Sequence, residues 1–323
     1  MIDEDDIQSG PQGEFEDFHA GFVALIGQPN VGKSTLMNRI LGVDLAIATS
    51  KPQTTRNRIL GVRTFPEKGQ LCFLDTPGIH KAEKRLNRVM VATALDAMKE
   101  VDLVCHVVDA HDFLERTERM PSGKLPRREK FIFQKLGEVD VPVLLVLNKV
   151  DLVKPKEKLL PMIQQLTERR EFVAVVPTSA TKGDNVRELV DELLDHLPAG
   201  PPLFPEDMLT DQAERFVAAE FVREQVMKQT REEIPYSVAI EIERFIENDE
   251  KNLLEISAVI HVERESQKGI IIGKGGSRLK EIGREARKRM QEFFHRKVFL
   301  ETFVRVEPEW SESPDALERF GYE

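Results

Sequence analysis

Lys33 and Ser34 end the octapeptide Gly27-Gln28-Pro29-Asn30-Val31-Gly32-Lys33-Ser34, and together they suit polyphosphate chemistry. The lysine can bring a full positive charge to the outer phosphates of a nucleotide, and the serine hydroxyl can ligate Mg²⁺. Gly27 and Gly32 permit backbone conformations that a side chain would block, so successive N–H groups can turn toward an anion. Thr35 continues the phosphate-contacting run. The β-compatible stretch Phe22–Ile26 precedes the octapeptide, and Thr35–Leu41 follows with helical spacing. Strand, glycine-bounded loop and helix in that order are what a phosphate-binding loop requires. The start of the helix adds its dipole to the field.

Three more stretches, each after an apolar run, supply what a guanine-nucleotide site needs. In Asp75-Thr76-Pro77-Gly78 the aspartate can hold the outer shell of Mg²⁺ and the Gly78 N–H can meet a γ-phosphate; a plain turn is the competing reading. In Asn148-Lys149-Val150-Asp151 the Asp151 carboxylate offers two acceptors to the N1–H and N2–H₂ donors of guanine. Adenine presents an acceptor there, and sites built on such hydrogen bonds discriminate by about 10⁴–10⁵. A helix-capping aspartate is the alternative. Thr178-Ser179-Ala180 can place a backbone N–H at guanine O6. A threonine of Thr54-Thr55-Arg56 can close onto Mg²⁺ and the γ-phosphate. All these stretches stand at carboxyl ends of expected strands, where open α/β sheets bind ligands.

The elements that must hold these residues alternate between apolar strands and helical stretches. After Asp44–Arg58, a polar loop, come strands at Ile59–Phe65 and Leu71–Leu74 and a helix at Leu86–Met98. Strands at Leu103–Val108, Val143–Leu147 and Phe172–Val176 alternate with helices around Phe131–Leu136, Lys156–Thr167 and Val186–Leu197. This rhythm predicts an α/β phosphate-loop domain with a mostly parallel sheet covered on both faces, over residues 21–197. The proline-rich segment 198–209 reads as a linker. Residues 210–307 change order to a helix (Asp211–Thr230), two strands (Tyr236–Ile246, Leu253–Val262), two helices flanking Gly273 and a last strand (Val298–Val304). This is a smaller α+β domain, and 308–323 reads as a C-terminal tail.

The chain has 323 residues and a net charge of −10, which excludes a wholly basic nucleic-acid coat. Seven acids fall within the first twenty residues, so 1–20 reads as an acidic disordered tail. Cys72 and Cys105 lie inside strand-like apolar runs and are expected to be buried, inert thiols in a reducing compartment. No apolar stretch approaches the eighteen residues of a membrane span. The chain is expected to act as a cytoplasmic monomer.

The smaller domain carries a second set of chemical residues. Ile271-Ile272-Gly273-Lys274-Gly275-Gly276 resembles the Gly-X-X-Gly loop of a KH domain, whose sharp turn lets nucleic-acid backbone approach closely. From Lys268 to Lys297 ten Lys/Arg face three acids, with Arg278, Lys280 and Arg287 on the helix after the loop. A solvated basic face is the ordinary alternative. The element order matches a type II KH domain, with Ile271 and Ile272 expected against the bases.

The switch sequence Pro52-Gln53-Thr54-Thr55-Arg56, the phosphate loop and the appended glycine loop together resemble the Era family of GTPases over about residues 21–310. The resemblance implies that Thr55 rather than Thr54 contacts Mg²⁺. It also implies GTP binding through Gly27–Thr35, Asp75–Ile79, Asn148–Asp151, Ser179 and Ala180, with Ser34 and Thr55 on the metal and Asp75 behind it. Ile79 stands where many signalling GTPases have a water-orienting glutamine. In relatives the Asn30 position ligates K⁺ instead, so Lys33, Asn30, Thr55 and Gly78 are the expected catalytic set and intrinsic turnover is expected to be slow. The family further implies binding to the 3′ end of small-subunit ribosomal RNA, small-subunit assembly, and peripheral association with the inner membrane face. Two other readings stay open on the residues alone. One is an RNA-modifying GTPase, for which the smaller domain offers no cysteine and His261 and His295 have no evident partners. The other is a signalling switch that binds protein.

Overall fold

The computed structural model describes residues 17–49, 51–79, 85–121 and 124–322. Most of the expected acidic tail, and residues 80–84 of the loop after Gly78, lie outside them. The elements run β1 (His19–Ile26), α1 (Lys33–Leu41), β2 (Ile59–Phe65), β3 (Gly69–Asp75), α2 (Arg85–Ala97), β4 (Leu103–Asp109), α3 (Ala110–Thr117), α4 (Arg127–Leu136), β5 (Val143–Asn148), α5 (Leu159–Thr167), β6 (Val175–Pro177) and α6 (Val186–Asp195). The six strands form one sheet in the order β2-β3-β1-β4-β5-β6. Every neighbouring pair is parallel except β2 and β3, which the short Pro66–Lys68 turn joins as a hairpin.

Burial on both faces explains the unbroken apolar strands. Val23 and Leu25 pack toward Leu36, Met37 and Leu189 on one side of the sheet. Ala24 and Ile26 pack toward Ala94 and Ile132 on the other. β1 lies between β3 and β4, so the chain leaves it at the point where strand order reverses. The phosphate loop occupies the crevice that opens there. Cys72 and Cys105 are fully buried, and burial pushes both thiols up to about 12.

The second lobe comprises α7 (Glu214–Gln229), β7 (Val238–Asn248), β8 (Leu253–Val262), α8 (Glu265–Ile272), α9 (Ser277–Phe294) and β9 (Lys297–Val306). β7 and β8 are antiparallel, and β8 and β9 are parallel across the α8–α9 crossover. α7 is buried nearly all round, its polar Glu220, Arg223, Glu224 and Gln225 included. It packs on α9 and β7 while also meeting the loop before β2, so it has no solvent face and no amphipathic signature.

Two segments, read as a linker and as a C-terminal tail, are tied into the fold. Residues 198–209 lace along the six-stranded sheet: Ala20 N–H donates to Pro198 O at 3.1 Å and Val62 N–H to Leu209 O at 2.8 Å. The second of these bonds covers the free edge of β2. The expected tail after 307 is folded. Trp310 is fully buried, α10 (Pro314–Arg319) follows it, and Trp310, Leu317 and Tyr322 pack against Leu86 and Met90 of α2 and Ala239 of β7. Burial of this aromatic cluster against both lobes outweighs the polar composition that made the segment look like a tail.

Candidate nucleotide site and nucleic-acid interface

The phosphate loop has its glycine where backbone geometry demands one. Gly32 adopts φ +100° at the start of α1, and a Cβ there would collide with the Asn148 amide. Lys33 is 6% exposed, and its Nζ donates to the carbonyls of Gly27 at 3.3 Å and Gln28 at 3.2 Å. Burial pushes the Lys33 ammonium down to about 8, against the pull of the Asp75 carboxylate. Burial likewise raises Asp75, against the pull of Lys33.

Three oxygens converge beside this lysine. Ser34 Oγ and Thr55 Oγ1 donate to Asp75 Oδ2 at 2.6 and 2.8 Å and stand 3.0 Å apart. Asp75 Oδ1 is buried and has no hydrogen-bond partner among the described residues. A cavity of about 330 Å³ opens in front, lined by Asn30, Lys33, Ser34, Thr35, Thr55 and Gly78. Among the described residues no cluster of three His, Cys, Asp or Glu could hold a metal by itself. The donor set suits Mg²⁺ nonetheless, since that ion commonly takes one or two hard protein oxygens and fills its octahedron with phosphate and water.

The loop after β3 closes against the phosphate loop through backbone contact. Ile79 N–H donates to Gly27 O at 3.0 Å, and a Cβ at Gly78 would lie 2.7 Å from Pro29 N. The Ile79 side chain is fully buried in the cluster of Ala24, Ile26 and Leu74 and faces neither the cavity nor any water. Thr76 donates to Leu25 O at 2.7 Å, holding the turn with Pro77 at the end of β1.

The base side is built in two layers. Asp151, in the single helical turn Val150–Leu152, accepts from Ser179 Oγ at 2.7 Å and is thereby aimed. Asn148 is wholly buried; its Nδ2 donates to Val31 O at 2.8 Å and its Oδ1 accepts from Ala180 N–H at 3.0 Å. It therefore ties the phosphate loop to the Thr178–Ala180 loop, and of the N–H groups that loop could offer to guanine O6, that of Ala180 is engaged by Asn148. Lys149 reaches Asn30 O at 2.7 Å and Asp109 Oδ2 at 2.6 Å.

In the second lobe, Gly273 ends α8 and Gly276 N–H returns to Gly273 O at 3.1 Å, leaving Lys274 and Gly275 at the exposed tip. Ile271, expected against bases, is instead fully buried with Ile282 and Ala286. It lies one helical turn from buried Gln267, so α8 turns that face inward. Ile270, one position earlier, is 42% exposed, and Ile272 is half-buried. Lys280 and Arg287 are exposed, while Arg278 donates to Ile270 O. Part of the basic run is spent within the fold. Arg284 pairs with Glu281 and Glu285, and Arg289 turns to Asp44 and Glu224. His261 does have partners: it is 1% exposed between Glu241 at 2.8 Å and Glu307 at 3.0 Å, with Phe320 packed over it. Closed in this way, it offers no reactive group to an RNA.

Sequence reasoning also passed over the joint between the lobes. Arg56 is 3% exposed; its guanidinium donates to Val238 O at 2.5 Å and Tyr236 O at 3.1 Å and lies over Trp310 and Tyr322. Lys51 donates to the carbonyls of Met227 and Thr230, and Arg223 of α7 donates to Thr54 O. Only a three-dimensional contact reveals this, because its acceptors are backbone carbonyls.

A family model described as a 50S ribosome-binding GTPase matches residues 22–175, and a KH-domain model matches residues 233–311. GTPase Era of Geotalea daltonii is 50% identical over 308 residues, 95% of this chain and 99% of that one. The chain belongs to the GTPase Era family. GTPase Era of Stenotrophomonas maltophilia is likewise 50% identical over 306 residues, with 94% and 98% covered. Among solved structures, Era in complex with MgGDPNP and nucleotides 1506–1542 of 16S ribosomal RNA superposes with a TM-score of 0.88. Identity is 42%, with 94% of this chain and 99% of that one covered. An Aquifex aeolicus Era variant bound to GDP·AlF4⁻ gives a TM-score of 0.87, also at 42% identity.

Proposed function

We propose that this protein is a GTPase whose nucleotide state governs binding of the 3′ end of small-subunit ribosomal RNA during small-subunit assembly. One observation carries the reading. The cavity lined by Lys33, Ser34 and Thr55, with Asp75 behind them, and the exposed glycine loop sit on two lobes joined through Thr54–Arg56, the loop that must close on a γ-phosphate.

Lys33 leaves two carbonyls to meet the outer phosphates, and Gly78 presents its N–H to the γ-phosphate. Ser34 and Thr55 would hold Mg²⁺, with Asp75 behind them accepting from both hydroxyls. The metal, when bound, neutralises charge developing on the phosphoryl oxygens. Asp151, aimed by Ser179, reads the guanine edge, and Asn148 fixes the two loops that flank the base. Asn30 is the residue for K⁺, which would supply the positive charge that a glutamine-less site needs. RNA backbone enters over Lys274–Gly276, with Lys280 and Arg287 on the phosphates and Ile270 and Ile272 toward the bases. The cytoplasmic placement and a peripheral contact with the inner membrane face belong to the same reading; no helix among the described residues is long and apolar enough to cross a membrane.

The test compares binding of a single-stranded RNA matching the small-subunit 3′ end with a scrambled RNA, with the protein loaded with GDP or a non-hydrolysable GTP analogue. The reading expects sequence-selective binding that differs between the two states. Equal binding in both states would remove the gating, and equal binding of both RNAs would remove the assignment of partner.

A further inference from the structure

Glu129 stands in the first turn of α4, 1% exposed; Asp75, also fully buried, already has a role, but Glu129 does not. Its Oε2 accepts from Gln28 Nε2 at 2.6 Å, and its Oε1 lies 2.7 Å from His106 Nε2. His106, on β4, is wholly buried and held edge-on by Phe133 at 5.5 Å. A carboxylate taken out of water into such a wall is costly unless its partners compensate, and stability alone is better served by apolar packing.

Gln28 is the second residue of the phosphate loop. Its neighbours Gly27 and Pro29 are the points where the Gly78–Ile79 loop bears on the phosphate loop, and its own carbonyl receives Lys33 Nζ at 3.2 Å. Beside Gln28 the structure is open: a cavity of about 490 Å³ borders Gln28, Phe113 and Glu129, and also Asn30, Gln53 and Lys149, which border the nucleotide cavity as well. Open space therefore borders the loop at Gln28, while Gly27 before it packs closely on the Val107 carbonyl. The hydrogen bond from Gln28 to Glu129 is one of several tethers on the loop, beside those from Asn148 to Val31 O, Lys149 to Asn30 O and Ile79 N–H to Gly27 O, and it is the one made by the side chain of the loop's second residue.

We infer that Glu129 is a positioning residue for GTP hydrolysis, which helps hold the phosphate loop in place through Gln28 and has His106 close against its other carboxylate oxygen. It touches no substrate. Its action falls on the register between Lys33, the loop N–H groups and Gly78, so it affects the γ-phosphate more than the base. The inference rests on the GTPase reading above, and measuring wild-type turnover alongside separates failure of one from failure of the other.

The experiment is a double-mutant cycle on steady-state GTP turnover and on GTP and GDP affinity, using Glu129→Leu, Gln28→Leu and the double variant. Misplacing the loop by a fraction of an ångström is expected to lower kcat roughly tenfold in each single variant, with KM changing much less. The double variant should be no slower than either single one, because both remove the same tether. Glu129→Gln keeps an acceptor for Gln28 and should restore most of kcat. A merely structural role would lower Tm and leave kcat well below Tm unchanged, or give additive losses; either result overturns the inference. If Glu129→Leu fails to fold, Gln28→Leu still decides, since it leaves Glu129 and His106 in place. Full turnover in that variant would end the proposal.

Discussion

Thr55 and Arg56 are neighbours in sequence whose side chains serve different lobes. Thr55 Oγ1 lies 2.8 Å from Asp75 and 3.0 Å from Ser34, in the site proposed for Mg²⁺. Arg56 is sunk among the carbonyls of Val238 and Tyr236 and the rings of Trp310 and Tyr322. One peptide unit cannot move toward a γ-phosphate without moving what Arg56 holds. Under the proposed gating that segment would be the two-state element which both sites bias, the physical requirement for coupling.

Arg56→Ala should therefore uncouple the lobes while leaving each able to bind. Coupling between sites is typically about 1–3 kcal/mol, so RNA affinity in the two nucleotide states should differ by roughly tenfold in the wild type and converge in the variant. Arg56→Lys should behave like the alanine variant, because an ammonium cannot serve several carbonyls in one plane while lying against two rings. The check is the ratio of RNA Kd values in the GTP-analogue and GDP states. A preserved ratio would place the coupling elsewhere.

Asp151→Asn exchanges an acceptor for a donor opposite guanine N1–H or N2–H₂, and preference should move toward xanthine. Competition among GTP, ATP and XTP measures it, and discrimination that is normally about 10⁴–10⁵ should fall by orders of magnitude. Asn148→Ala should act differently. It releases Val31 O and Ala180 N–H, so all nucleotides should weaken together with little change in selectivity. Retained GTP preference in Asp151→Asn would leave the carboxylate as no more than a partner of Ser179.

The motifs of the nucleotide site were legible because each is a short run fixed by local backbone need: a glycine at φ +100°, a serine after a lysine, an aspartate at a strand end. The strands were legible because the sheet is buried on both faces. What was missed depends on contacts distant in sequence. Trp310 gives no hint that it will bridge α2 and β7. Ile271 and Ile270 differ by one position in an unbroken isoleucine run, where composition cannot choose the inward residue. Arg56 stood in a recognised motif, yet apart from the Tyr322 hydroxyl its acceptors are carbonyls that no residue type announces.

K⁺ should accelerate GTP turnover over Na⁺ at matched ionic strength, and Asn30→Ala should remove the difference. The burial of Ile79 strengthens the motive, since that side chain packs in the core and cannot orient water. Equal wild-type rates in the two salts would leave the charge to a partner or to another residue of the loop.

Cys72 and Cys105 should be silent toward thiol reagents at pH 8 in the native protein. Burial holds both thiols near 12, so hardly any thiolate exists, and neither sulfur is reachable. Both should react in denaturant, and the native reaction rate should follow global opening. Fast labelling of Cys72 in the native state would mean that β3 opens locally beside the nucleotide site.

The last prediction separates RNA binding from GTP turnover. A Cβ at Gly273 would press on Arg278 at 2.9 Å, so substitution there disturbs the fold as well as the ligand. Gly275 faces open space at φ +60°, a conformation that aspartate tolerates better than most residues. Lys274→Asp with Gly275→Asp therefore places two negative charges at the tip where RNA backbone must approach, without crowding α9. The loop lies outside the nucleotide cavity, so GTP affinity and basal turnover should stay within about twofold, while affinity for the single-stranded 3′-end RNA should fall by roughly a hundredfold or more at fixed salt. Arg287→Ala removes one exposed charge and should cost much less, in proportion to one lost phosphate contact. Binding should be measured at two salt concentrations, because a phosphate contact flattens the salt slope when lost whereas a steric block does not. A folded double variant that binds this RNA normally would shift the determinant from the glycine loop to the basic face of α9.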